Sequence, residues 1–385
     1  MEFVATTKDL KKALSIVSMA VGEGAETITG HTLFDIKDGQ VFLYSTDNDR
    51  MAVTYLPVSD ISEGNAQFTA NPKKIHKLIG GSDLSTVKFS YDKDTKTLNI
   101  YASENSDAYI SFASFDPDTF LSFDKDITGA KEVKTINAKV LLSGIKFIQG
   151  FLPADDKNKK YSNLYITDGI MYGSNGSFKI GAFQSSELQG TSLTLRRYMV
   201  SPVMSLIDIT GTSEIVFTET DNITIVSSKD ELSRFAFRKT TTPIPKMPIS
   251  INPPEVDCIS IDRPGMSKKL QRLSITVTNR PELGIKMSVD NGLLSMETIT
   301  DRKSFEKIPC KRVVGDSPLE FLLECNRFKE MIDLFISPTL SVYVDKTLKC
   351  VFYDEGLLSI EEEGKEVVTK DYKAIGLLTQ AKRND

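Results

Sequence analysis

Apolar and polar residues alternate through Leu33-Phe34-Asp35-Ile36-Lys37, and the run ends in Asp38-Gly39. The pattern returns in Leu164-Tyr165-Ile166-Thr167 before Asp168-Gly169, and again in Ile285-Lys286-Met287-Ser288-Val289 before Asp290-Asn291-Gly292. A period of two predicts strands with one buried face, and Asp-Gly or Asn-Gly predicts the tight turn of a hairpin. The copies lie about 125 residues apart, which marks an internal repeat. About thirty residues past each turn, a short strand leads into helical spacing: Phe68-Thr69-Ala70 into Asn71-Pro72-Lys73, Leu193-Thr194-Leu195 into Arg196-Arg197-Tyr198, and Phe321-Leu322-Leu323 into Asn326-Arg327-Phe328. Asn71 before Pro72 reads as an N-cap with proline in the first turn. Each copy also opens on an amphipathic helix. Its stripe is Leu10, Ala13, Leu14 and Val17 in the first copy, Leu141, Ile145 and Ile148 in the second, and Met266, Leu270, Leu273 and Val277 in the third. Alternating strands close each copy.

The expected fold class is therefore α+β, with three tandem domains of helices packed on antiparallel sheets. The expected domains are 1–128, 129–254 and 255–385, with boundaries near Thr128 and Pro253-Pro254. The second boundary follows the proline-rich stretch Pro243 to Pro248. A chain of 385 residues exceeds one hydrophobic core, in keeping with this division. No apolar run is long enough to cross a membrane, and the first residues enter folded pattern without a signal-peptide core, so an internal, cytoplasmic location is expected. Cys258, Cys310, Cys325 and Cys350 show no metal spacing and read as reduced thiols.

Net charge is -5, which argues against a uniformly basic nucleic-acid binder. The charge is segregated, however. The helical windows 8–17, 71–80, 136–150, 195–207, 264–275 and 326–335 carry +2, +3, +2, +2, +3 and 0, together +12, which leaves -17 for the rest. Lys8, Lys11 and Lys12 share one face of the first helix. Lys73, Lys74 and Lys77 mark the second, Lys139 and Lys146 the third, Arg196 and Arg197 the fourth, and Lys268, Lys269 and Arg272 the fifth. In the sixth, Arg327 and Lys329 are offset by Glu330 and Asp333. A solvated helix face explains any one window. Bias in five of six points to a surface for phosphates, with sequence-independent, salt-sensitive affinity. The competing reading is a repeat-built interaction scaffold whose basic stripes are merely solvated.

Enzyme chemistry finds little support. The chain has only His31 and His76, and neither pairs with a Ser or Cys nucleophile in any known spacing. Asp47-Asn48-Asp49 lacks the Gly and distal Glu of a calcium loop and reads as a turn. Gly22-x-Gly24 lacks the strand-to-helix context of a dinucleotide site, and no Walker lysine motif occurs. No cofactor or metal is expected.

The order of elements resembles that of the bacterial DNA polymerase III beta-subunit, or sliding clamp, family. Met1-Glu2-Phe3 followed by Leu10-Lys11-Lys12-Ala13-Leu14 is similar to the family's first helix. Thr46-Asp47 after Val41 to Tyr44 resembles its Thr-Asp element. Ser111-Phe112-Ala113 and Phe115 to Phe120 resemble the end of its first domain. The divergence points to a phage-encoded or otherwise distant member. The resemblance implies three DNA-clamp domains forming half of a closed ring, a head-to-tail homodimer with helices lining the hole around double-stranded DNA. By position, Ile110 and Phe112 would meet Ile275 and Val277 of the partner. The resemblance also implies partners, a replicative DNA polymerase and a clamp loader, whose peptides bind one apolar groove. Carried over residue by residue, that groove falls at Ser174, Gly176 and Phe178, near Pro245 and Met247, and at Ile375, Leu377 and Leu378. Phe178, Ile375, Leu377 and Leu378 are expected to be exposed there.

Overall fold

The computed structural model describes residues 1–24, 27–62, 64–80, 84–101, 108–121, 127–153, 162–176, 179–240, 243–247, 249–277, 284–299, 303–315, 319–345, 349–362 and 365–379, with backbone alone at 360–362 and 365–368. The first third of the chain runs β1 (Glu2–Thr6), α1 (Thr7–Ser18), β2 (Thr32–Lys37), β3 (Gln40–Thr46), β4 (Arg50–Leu56), β5 (Ala66–Ala70), α2 (Pro72–Gly80), β6 (Thr86–Asp92), β7 (Thr97–Tyr101) and β8 (Tyr109–Ala113). The second runs β9 (Lys131–Asn137), α3 (Ala138–Gln149), β10 (Asn163–Thr167), β11 (Ile170–Ser174), β12 (Lys179–Gln184), β13 (Ser192–Arg196), α4 (Arg197–Thr210), β14 (Glu214–Glu219), β15 (Ile223–Ser228) and β16 (Ser233–Arg238). The third runs β17 (Cys258–Asp262), α5 (Arg263–Val277), β18 (Gly284–Asp290), β19 (Leu293–Thr298), β20 (Phe305–Val314), β21 (Leu319–Glu324), α6 (Cys325–Asp333), β22 (Thr339–Asp345), β23 (Lys349–Glu362) and β24 (Lys365–Thr379). The same order, one strand, a helix, four strands, a helix and three strands, therefore occurs three times.

The turns that betray the repeat have the backbone their residues favour. Asp38 (φ 52°), Asp168 (φ 49°) and Asn291 (φ 48°) are each followed by a glycine of positive φ. Two successive positive values match the twist of a two-residue hairpin, and Asp, Asn and Gly tolerate them best. Strand pairing repeats as well. The four middle strands of each third pair in the orders β5-β2-β3-β4, β13-β10-β11-β12 and β21-β18-β19-β20. The outer strands pair as β1-β6-β7-β8, β9-β14-β15-β16 and β17-β22-β23-β24. Two joints then fuse successive thirds. β4 pairs with β16, and β12 pairs with β24.

The chain folds as two compact units, Met1–Ala138 with Tyr198–Thr241, and Lys139–Arg197 with Thr242–Asp385. The middle third contributes to both. In the first unit, α1 packs on β3 and β4, and Phe3, Phe34, Phe68 and Phe89 are fully buried. Phe3 stacks on Phe89, and Phe34 on Phe68, each with ring centroids 4.8 Å apart. In the second unit, Phe147 lies against Phe151 and Phe335, and Phe328 against Phe352. Cys258, Cys325 and Cys350 are buried free thiols, and burial pushes the Cys325 thiol up to about 11. No helix among the described residues is long and apolar enough to cross a membrane.

Helix starts follow local chemistry. The Thr6 hydroxyl accepts from Asp9 N at 3.1 Å and caps α1. The Asn71 side chain accepts from Lys74 N at 3.1 Å and caps α2. Asn71→Ala is expected to lower stability by about 1 kcal/mol, read as a shift in the urea midpoint at unchanged slope. The fourth helix starts at Arg197, so Arg196 belongs to the end of β13. It continues through Pro202, which has no N–H to return to the preceding turn. Burial of Pro202 beside Met199, Val203 and Leu206 holds that stretch helical through packing.

Candidate nucleic-acid interface

In the first unit, α1 and α2 pack side by side. The helix α1 buries Leu10, Ala13, Leu14 and Val17, and α2 buries Pro72, Ile75 and Ile79. Spacings of three and four leave the lysines on the faces away from those stripes. Lys8, Lys12, Lys73, Lys74 and Lys77 are exposed, Lys11 is half-buried, and His76 is exposed beside them. Among the described residues, no carboxylate lies within ion-pair distance of any of these six lysines. Asp9 is the one acid on these two helices, and it leaves the face a net positive field, which suits a polyanion.

The helices of the second unit differ. Lys139, Lys146 and Lys268 are exposed. Lys269 Nζ lies 3.0 Å from Glu306 Oε2, and Arg272 Nε lies 2.7 Å from Glu306 Oε1. The hydrogen bond from Arg272, aided by that from Lys269, holds the Glu306 carboxyl below the usual carboxylate range against the opposing effect of burial. Arg327 pairs with Glu324, and Lys329 with Asp333, each at 2.7 Å. Four cations expected to face phosphates thus already have carboxylate partners. The Asp333 pairing was legible as an i, i+4 spacing. Glu306 was not, because it reaches α5 from a strand more than thirty residues away.

The expected apolar groove is also altered. Ser174 Oγ donates to the Lys179 carbonyl at 3.1 Å and accepts from Gly176 N at 2.9 Å, which makes a tight turn. Phe178 lies outside the described residues. Ile375 and Leu378 are buried, at 2% and 1%, and Leu377 is half-buried. The expected exposure of Ile375 and Leu378 is therefore corrected. β24 is an interior strand, paired on both sides by β12 and β23, and both of its faces are covered there, as the burial of neighbouring Ala374 and Ile375 shows. One face is covered by the chain's own linker. Ile244, Met247 and Ile249 pack on Tyr165, Tyr172, Ala182, Tyr353 and Ile375. The Tyr172 hydroxyl donates to the Pro245 carbonyl, and burial raises its pKa to about 12.

Two edges carry exposed apolar side chains. β8 pairs with β7 alone and is the edge of its sheet. Ile110 there is 47% exposed, and Phe112 is half-buried. On α5, Ile275 is 74% exposed, but Val277 is buried at 1%. Val277 completes the stripe of Met266, Leu270 and Leu273, so it is a core residue and not an interface residue. The first half of β20, Phe305 to Pro309, pairs with β19 alone, and Phe305 is 56% exposed. Sequence reading missed this strand, although alternation through Phe305, Lys307 and Pro309 was visible.

Asp47 belongs to a turn, as its sequence suggested. Its carboxylate accepts from the backbone of Asp49 and Arg50 and lies 2.7 Å from Arg50 Nε. His31 is buried, edge-on to Phe115.

Comparison with known proteins bears on the fold. No family model matches the chain, and no curated protein matches it. Solved structures do match over the whole length. The DNA polymerase III beta subunit of Thermotoga maritima aligns with TM-score 0.78 at 15% identity, covering 99% of each chain. A putative DNA polymerase III beta subunit from Eubacterium rectale aligns with TM-score 0.79 at 14% identity, covering 100% of each. A DNA polymerase sliding clamp from Pseudomonas aeruginosa aligns with TM-score 0.78 at 12% identity, covering 100% of each. Agreement of this extent at such low identity establishes the fold, three tandem clamp domains built from helices and antiparallel sheets.

Proposed function

We propose that this chain, which has the fold of the DNA polymerase III beta subunits, is a DNA sliding clamp. In this reading it encircles duplex DNA as a head-to-tail homodimer, tethers a replicative polymerase and is placed on DNA by a loader. The three clamp domains are taken as 1–128, 129–254 and 255–385. The protein binds and performs no bond chemistry.

One observation carries the reading. In each joint, the last of the three hairpin strands of one third pairs with the last strand of the next, β4 with β16 and β12 with β24. The rule leaves two strand edges unsatisfied, the Phe305 to Pro309 half of β20 in the third copy, whose second half pairs with β17, and β8 in the first. A second chain supplies both missing partners. Edge strands with exposed Ile110 and Phe305 are otherwise an aggregation hazard. A heterologous interface that closes after two chains removes every free end. Six repeats then surround the duplex, with the lysines of α1 and α2, which have no carboxylate partner among the described residues, available to phosphates.

Polymerase docking is proposed at the linker-covered face around Tyr172, Met247 and Ile375, with Ser174, Gly176, Phe178, Pro245, Leu377 and Leu378 as its surroundings. A peptide there would touch half-buried Leu377 and Met247, not the core residues Ile375 and Leu378.

The test is topological. Protein loaded on nicked circular DNA is expected to remain through gel filtration and to leave when the circle is cut. Equal retention on both forms would reject encirclement and favour a plain scaffold.

A further inference from the structure

The two helix pairs that lie wholly within one unit treat their cations differently. On α1 and α2, six lysines have no acid within ion-pair distance among the described residues. On α5, a single carboxylate from β20 bridges Lys269 and Arg272 at 3.0 and 2.7 Å. Its strand explains why it points there. Along β20, Phe305 and Lys307 face outward and exposed, while Glu306 and Ile308 turn toward the packed side. The Glu306 and Lys269 side chains are 20% and 24% exposed, so that ion pair is shielded from solvent ions more than a surface pair would be, whereas Arg272 is 60% exposed and reaches Glu306 from the solvent side. On α6, Arg327 and Lys329 are likewise tied, to Glu324 and Asp333.

We infer that Glu306 is an internal counter-anion, which withholds Lys269 and Arg272 from phosphates so that α5 contributes less to the grip on duplex DNA than α1 and α2 do. The inference rests on the DNA-binding reading above and adds a residue-level division of labour to it. The physical basis is counterion release. Only a cation free to replace a condensed counterion on DNA adds to the salt dependence, about 0.9 in slope per phosphate engaged. A cation already paired with a carboxylate exchanges one anion for another and adds little. An ungripped sector of the protein's DNA surface keeps total affinity low enough for sliding.

The experiment measures equilibrium binding of the full-length protein to a linear duplex as a function of salt. Glu306→Gln removes one negative charge and frees two side chains. It is expected to tighten binding and to steepen log K against log salt by about 1 to 2. The triple variant Lys269→Gln, Arg272→Gln, Glu306→Gln is expected to lose that gain and return near the wild-type slope. Lys269→Gln with Arg272→Gln alone, which leaves α5 and β20 in place, is expected to change the slope by less than about 0.5. An unchanged slope in Glu306→Gln, or a fall in the Lys269/Arg272 variant as large as that from removing the α2 lysines, overturns the inference. A wild-type protein without salt-dependent binding would instead reject the DNA-binding reading itself.

Discussion

Replacing Lys73, Lys74 and Lys77 together by glutamate is expected to weaken binding to duplex DNA by at least an order of magnitude near 0.1 M salt. The slope of log K against log salt should flatten by up to about 2.7, or 0.9 for each phosphate no longer neutralised. Stability should not fall. These lysines are exposed and have no ion-pair partner among the described residues, so their removal breaks no folded ion pair. Lys73 and Lys74 moreover sit in the first turn of α2, which holds no acidic residue. The positive end of the helix dipole disfavours cations there, and glutamate at the same positions is favoured by about 0.3–1 kcal/mol each. Lys77 lies in the last turn, where glutamate is disfavoured by a similar amount, so two gains outweigh one loss and the variant should melt at or slightly above the wild-type temperature while losing DNA. That opposite movement separates a functional charge from a structural one. Unchanged DNA affinity in a fully folded variant would remove α2 from the DNA-binding surface.

The second large effect concerns assembly. Ile110→Asp on β8 and, separately, Phe305→Asp on β20 are each expected to yield single chains by light scattering at micromolar concentration. Both side chains are exposed within the chain, so each substitution leaves the monomer core intact. A charge buried against the opposing strand costs about 2–4 kcal/mol per interface, and a closed pair contains two such interfaces. Mixing the two variants provides the sharper result. One interface in the mixed pair carries both substitutions, and the other carries neither. Mixed chains should therefore recover a dimer held through a single interface, though not stable retention on circular DNA. A symmetric interface in which each patch meets itself would show no such rescue. Dimers surviving in both single variants would move the interface elsewhere.

Much of this was readable from local pattern. Strand alternation ending in Asp38-Gly39, Asp168-Gly169 and Asn291-Gly292 named the hairpins, because turn backbone depends on two residues and their neighbours. The stripe from Met266 to Val277 named a buried helix face by spacing alone. The same stripe showed that Val277 belonged to the core, and placing it in an interface set positional analogy above periodicity. Ile375 and Leu378 illustrate a different failure. An apolar residue on a strand is buried when its face of the sheet is covered, and the neighbouring sequence does not say what covers it. Ile375 and Leu378 pair on one side with Tyr353 and Cys350, 22 and 28 residues away, and on the other with Ala182 and Lys179, 193 and 199 residues away.

The sequence by itself determined the repeat, the helix and hairpin positions, and the concentration of positive charge on helices. These depend on periodicity and short-range backbone preference, which act within a few residues. Tertiary structure alone decided which of those charges are free. Glu306 neutralises Lys269 and Arg272 because strand pairing delivers its carboxylate to them across the fold, whereas no described acid reaches the lysines of α1 and α2. Electrostatic interaction falls with distance through space, not along the chain, so only the folded arrangement could separate the two groups.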